Sequence, residues 1–151
     1  MERNYESNAF GSLLQPQSLS AATLYNGAAA TAASGTGLDT TGSDGITIML
    51  NCGTFTGNDT FDASVYASAT DDSTAATLVT GATFAQVTTA NHQTVYKGYV
   101  KAHAYSKYFW LKTVTAGSGS ALVSATYAMD RNPKHPALAR ASLSFCIDGS
   151  V

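Results

Sequence analysis

Charge is scarce in this chain: Asp, Glu, Lys and Arg together make up 12% of its 151 residues. A disordered chain needs high net charge and few aromatics, whereas here the net charge is −2 beside eight Tyr, six Phe and one Trp. Leu, Glu, Lys and Arg do not recur in the periodic runs that a helical bundle or coiled coil requires. Cysteine is limited to Cys52 and Cys146, which form no CxxC pair and stand near no histidine at metal spacing, so they imply neither a disulfide framework nor a zinc site. No window approaches the roughly 18 consecutive apolar residues of a membrane helix. The opening MERNYESNAF lacks the basic and apolar blocks of a signal peptide. The expectation is a protein assembled in the cytoplasm of the cell that makes it, with no membrane contact.

What is abundant is small. Ala, Thr, Ser and Gly fill 74 positions. Thr, Ser and Gly in excess, with aromatics and few charges, is the composition of antiparallel sheets joined by tight turns. A core filled mainly by Ala and Thr is expected to stabilise a lone monomer only modestly, which favours dependence on neighbours.

The charges that exist are segregated. Up to residue 96 eight acids face Arg3 alone; from Lys97 onward seven bases face Asp130 and Asp148. Such a split fits basic strands paired with acidic loops inside one fold, or two faces of opposite sign that attract copies of the molecule.

Hydrophobic alternation marks the strands. Ile46, Ile48 and Leu50 alternate with Thr47, Met49 and Asn51, and Phe61, Ala63, Val65 and Ala67 with Asp62, Ser64, Tyr66 and Ser68. A third segment, 76–88, is interrupted by Gly81, where a bulge or tight turn is expected. Further strands are expected over 94–102, 107–116 and 121–129, and a less regular one over 23–33. In the 94–102 segment Val95, Lys97, Tyr99 and Lys101 share one face and Tyr96, Gly98, Val100 and Ala102 the other. Six or seven strands at this spacing predict an all-β, antiparallel β-sandwich or a barrel. Residues 1–20 carry no sustained period and contain Pro16, so they are expected to form an extended N-terminal arm. Residues 131–151, with Pro133 and Pro136, are expected to form a C-terminal arm, leaving 21–130 as the sandwich domain.

No constellation for chemistry emerges. His92, His103 and His135 are isolated, no GxSxG elbow is present, and the glycines at 35 and 37 lack the spacing of a phosphate loop. The acids at 59, 62, 71 and 72 occur among turn residues without the spacing of a calcium loop. Lys97, Lys101, Lys107 and Lys112 are interleaved with aromatics as in single-strand binders, but a pI near 5.8 argues against nucleic acid. The expectation is a non-enzymatic protein without a cofactor or metal.

A resemblance adds to this reading. The LYNG at 24–27, the turn SATDDSTAAT at 68–77, GATFAQVTTAN at 81–91, the aromatic KYFWLK at 107–112 and the closing NP at 132–133 follow one another in an order that resembles small tailed-bacteriophage structural proteins. The likeness spans roughly residues 24–136. It implies a jelly-roll-like β fold and a virion role on the head shell, as a capsid decoration or cement protein. The partners it implies are the major capsid protein and further copies of the chain itself, as a dimer or trimer at the capsid surface. The arms are the expected contacts, with Tyr5, Phe10, Leu13 and Leu14 at one end and Arg131, Lys134, His135 and Arg140 at the other. Alternatives are a head-to-tail connector or tail component, and a carbohydrate-binding β-sandwich. The last would stack sugar rings on Tyr96, Tyr99, Tyr108 or Trp110 and requires several of these to be exposed on one face.

Overall fold

The structure is a computed structural model that describes residues 9–19, 23–25, 37–117, 121–130 and 145–147. Among these, eleven strands and one helical turn occur. They are β1 (Ala9–Leu19), β2 (Thr23–Tyr25), β3 (Leu38–Asp39), β4 (Gly45–Phe55), β5 (Thr60–Ser68), β6 (Thr77–Thr83), β7 (Val87–Thr88), β8 (Thr94–Val100), α1 (Ala102–Tyr105), β9 (Tyr108–Ala116), β10 (Ala121–Asp130) and β11 (Phe145–Ile147).

The chain pairs as one long folded hairpin. β1 lies antiparallel to β10, β2 and β3 to β9, β4 to β8, and β5 to β6 and β7. Two further antiparallel pairings, β10 with β4 and β9 with β5, roll this hairpin into two sheets. The first sheet has the order β1-β10-β4-β8-β11; the second has β2-β9-β5-β6, with β3 also on β9 and β7 also on β5. This is the jelly-roll arrangement of an all-β sandwich, the architecture expected above.

Period-2 sequence becomes two-sided strands. Ile46, Ile48 and Leu50 of β4 and Phe61, Ala63 and Val65 of β5 point into the sandwich and are 0–1% exposed, while their alternate neighbours are half-buried on the outer faces. Five of the six phenylalanines, Phe55, Phe61, Phe84, Phe109 and Phe145, are buried in the same core. The Ala- and Thr-filled core expected from composition is therefore corrected: alanines such as Ala63, Ala82 and Ala125 are packing partners for Phe, Ile, Leu and Val. Composition hid this because the small residues also supply the turns, whereas the large apolar residues converge on one layer.

Both stretches read as arms contribute strands to the first sheet. Residues 9–19 form β1, and 145–147 form β11, which runs parallel to β8 and buries Phe145. The sandwich thus extends beyond 21–130. The alternation of β1 is masked because its register against β10 shifts twice, between Ser12 and Leu14 and between Leu14 and Gln17. In the 76–88 segment Gly81, whose φ is 81°, lies inside β6 at the register shift against β5 between Leu78 and Thr83, a bulge as expected, and β7 follows separately at Val87. The 94–102 strand ends at Val100 and turns into α1. Of the 23–33 segment, Thr23–Tyr25 is strand, and 26–33 lies outside the described residues.

Candidate docking face on the first sheet

The outward positions of the first sheet form a charge-poor surface. They are Thr47, Met49 and Asn51 on β4, Val95, Lys97 and Tyr99 on β8, and Leu122, Ser124 and Thr126 on β10, so Lys97 is the one charge on these three strands' middle stretches. Register places Asn51 between Val95 and Ser124, and Met49 between Lys97 and Thr126. Val95 is 50% and Leu122 46% exposed. Depletion of charge with exposed aliphatic and half-buried Met and Tyr side chains is the composition of an interface core.

A groove of about 490 Å³ opens on this face, with Gln93 and Val95 on one side, Leu122 and Ser124 on the other, and Asn51 and Thr54 of β4 between them. Its shape comes from a backbone irregularity. Val123 faces Cys52 and Ala121 faces Phe55, so β4 carries one residue more than β10 at Gly53 and Thr54. Leu122 leans over Gly53, where a Cβ would stand 3.1 Å from Leu122 Cδ2. At the rim, Gln93 takes a φ of 58°, uncommon for a non-glycine residue. It is held there by its N–H donating to the Gly53 carbonyl at 3.2 Å. Nearby, His92 Nδ1 accepts the Phe55 N–H at 2.9 Å, and its ring meets Phe55 edge-on at 6.0 Å. Cys52 lies beneath the groove as a free, buried thiol, pushed up to about 12 by desolvation.

Sheet edges are less suited to association than this face. β1, at one edge of the first sheet, contains two register shifts and Pro16, which has no N–H to offer, and β11 at the other edge has three residues. Of the contacts expected in the arms, Phe10 and Leu14 stand on β1 opposite Ala128 and Ala125, and Leu13 lies at the first register shift. Tyr5, Arg131, Lys134, His135 and Arg140 lie outside the described residues.

Acids and lysines are engaged largely within the fold. Asp39 Oδ1 accepts from the Thr41 N–H and hydroxyl at 2.9 and 2.6 Å, and Asp72 Oδ1 accepts from the same groups of Thr74 at 2.8 and 2.7 Å. These bonds hold both carboxyls below the ordinary carboxylate value. Gln86 donates to Asp62, Asp71 accepts from the Gly37 N–H, and Asp59 is buried in the β4–β5 turn. Lys107 Nζ lies 3.6 Å from Asp39 Oδ2 and 4.9 Å from the Tyr108 ring centroid, while Lys112 covers Tyr66 at 5.1 Å. No group of three or more His, Cys, Asp or Glu suited to a metal occurs among the described residues.

The four aromatics of the carbohydrate reading do not share a face. Tyr96 packs inward against the core and Tyr99 points outward on the first sheet, whereas Tyr108 and Trp110 belong to the second, with Trp110 1% exposed. The face that sequence reasoning missed is signalled only by Val95 and Leu122, apolar residues at positions whose parity points to solvent. No family model, curated protein or solved structure matches the chain.

Proposed function

We propose that the chain is a non-enzymatic structural protein of a phage virion, a decoration or cement protein that stabilises the head shell from its outer surface. The observation that carries this reading is the charge-poor outer face of the first sheet, with its groove and the exposed Val95 and Leu122. A cement protein adds free energy to a lattice by burying surface at many symmetric contacts, and such a face serves burial rather than chemistry. The jelly roll itself is a fold shared by capsid and lectin domains, so it raises this reading only by analogy. The resemblance of residues 24–136 to phage structural proteins points the same way.

In this reading the major capsid protein meets the groove face, and other copies of the chain meet across local symmetry axes. Arg131, Lys134 and Arg140 supply basic charge toward an acidic shell surface. The test is co-sedimentation of the purified chain with undecorated heads. Saturable binding at high copy number, weakened by Glu at 131, 134 and 140, supports the proposal; absence of co-sedimentation overturns it. Binding at the few copies of a single vertex favours the head-to-tail connector instead.

A further inference from the structure

The loop between β5 and β6, residues 69–76, is the turn of the folded hairpin. It is built as a self-contained unit. Asp72 N–H donates to the Thr70 carbonyl, Ala75 N–H to the Asp72 carbonyl and Ala76 N–H to the Ser73 carbonyl, while Thr74 closes on the Asp72 carboxylate. Among the described residues, one hydrogen bond ties this loop to a distant part of the chain: the Gly37 N–H donates to Asp71 Oδ1.

That bond crosses a strand. β3 and β5 flank β9 on opposite sides. Gly37 precedes Leu38, which faces Phe109, and Asp71 follows Ser68, which faces Tyr108. The Gly37–Asp71 contact therefore passes over β9 near Trp110. Gly37 lies directly on the indole, since a Cβ there would stand 2.6 Å from Trp110 Cζ2 and 2.8 Å from Cη2. Trp110 has outward parity on β9, between the buried Phe109 and Leu111, and yet is 1% exposed. Its Nε1–H has no hydrogen-bond partner among the described residues. A buried donor without a partner disfavours the closed arrangement, and opening lets water satisfy it.

We propose that the 69–76 loop is a clasp over Trp110, caught by Asp71 on the Gly37 amide, which opens while the sandwich stays folded. The hinge on the Gly37 side is Thr40, whose N–H and hydroxyl both donate to the Lys107 carbonyl at 2.9 Å and keep β3 attached when the clasp is released. Opening uncovers Trp110 beside Tyr66, its cross-strand partner, and Tyr108, two residues before it on the same face. The proposal is independent of the capsid reading, because it concerns the second sheet and requires no partner.

The chain has one tryptophan, so acrylamide quenching reads the clasp directly. Asp71→Ala removes the acceptor of a charge-assisted bond and is expected to raise the open population on the order of tenfold, with a matching rise in the quenching constant. Asp71→Asn keeps an acceptor oxygen and is expected to remain nearer the wild type. Amide exchange on the same proteins separates opening from unfolding: residues 37–39 and 69–76 exchange faster in Asp71→Ala while β4 and β8 stay protected. Unchanged quenching in Asp71→Ala overturns the proposal. So does faster exchange of β4 and β8 in step with the loop, because the contact is then an inseparable part of the core.

Discussion

The ring of Phe145 lies across Gly98, in register on the neighbouring parallel strand, so closely that a Cβ at Gly98 would stand 2.1 Å from Phe145 Cζ. The pair joins β11 to β8, and Phe145 continues into the core through an edge contact with Phe84 at 4.8 Å and 66°. It adds to the backbone pairing with β8 and the Lys101 N–H to Ile147 carbonyl bond that attach this three-residue strand at the sheet edge.

Gly98→Ala is expected to destabilise the fold by about 1–3 kcal/mol, since the added methyl meets a buried ring rather than a flexible chain end. Phe145→Ala alone is expected to cost about 3–5 kcal/mol from the lost ring and its cavity. Urea unfolding of the double variant should show less than the sum, because both changes act on one contact. Additive costs would contradict the pairing.

His92 provides a second test of the groove rim. With Nδ1 accepting from the Phe55 N–H, the neutral ring carries its proton on Nε2, a tautomer that nitrogen chemical shifts identify. His92→Ala leaves that N–H without its acceptor and is expected to cost about 1–2 kcal/mol in chemical denaturation.

Cys52 predicts a pH dependence. Its thiol titrates at about 12 in the fold against an ordinary 9.0, so between these values the unfolded chain has released a proton that the folded chain retains. Stability contributed by the neutral thiol is therefore complete below pH 9 and falls as pH rises toward 12, with a slope of at most about 1.4 kcal/mol per pH unit. Cys52→Ala should remove that component of the alkaline slope. In the native protein near pH 8, thiol reagents should modify Cys52 at a rate set by unfolding.

Asp39 and Asp72 act at the other end of the scale. Both carboxyls are held below 3.8 mainly by the hydroxyl and amide of Thr41 and Thr74. Their contribution is present above the unfolded value and is lost as pH falls through the lowered one. Carbon-detected titration should give midpoints below 3.8, and Thr41→Val and Thr74→Val should each move the neighbouring midpoint upward.

Much of this fold was legible because local alternation determines which side chains face inward. The strands around Ile46–Leu50, Phe61–Ala67 and Tyr108–Thr115 emerge where period 2 places them, and Gly81 sits at the bulge inside β6, as a glycine inside a strand pattern predicts. What escaped the sequence is long-range. β1 was hidden by its two register shifts, and the parallel placement of β11 on β8 brings Phe145 onto Gly98, 47 residues upstream. Trp110 reads as solvent-facing by parity, and its burial depends on Gly37, 73 residues earlier and outside any local pattern. The groove was equally invisible, because it arises from one extra residue of β4 against β10.

The docking face makes a selective prediction. Val95→Asp and Leu122→Asp alter half-exposed side chains on the outer surface and are expected to change folding stability by no more than about 0.5 kcal/mol each. Combined, they should abolish co-sedimentation with undecorated heads while leaving circular dichroism and the urea midpoint near wild type.

In the proposed role the chain covers a phage head shell through the outer face of its first sheet. Averaged electron microscopy of undecorated heads saturated with the purified chain tests that role. The expected result is one jelly roll at every equivalent shell position, with Val95 and Leu122 turned toward the capsid. Bare shells at saturating protein, or density with the second sheet against the shell, would contradict it.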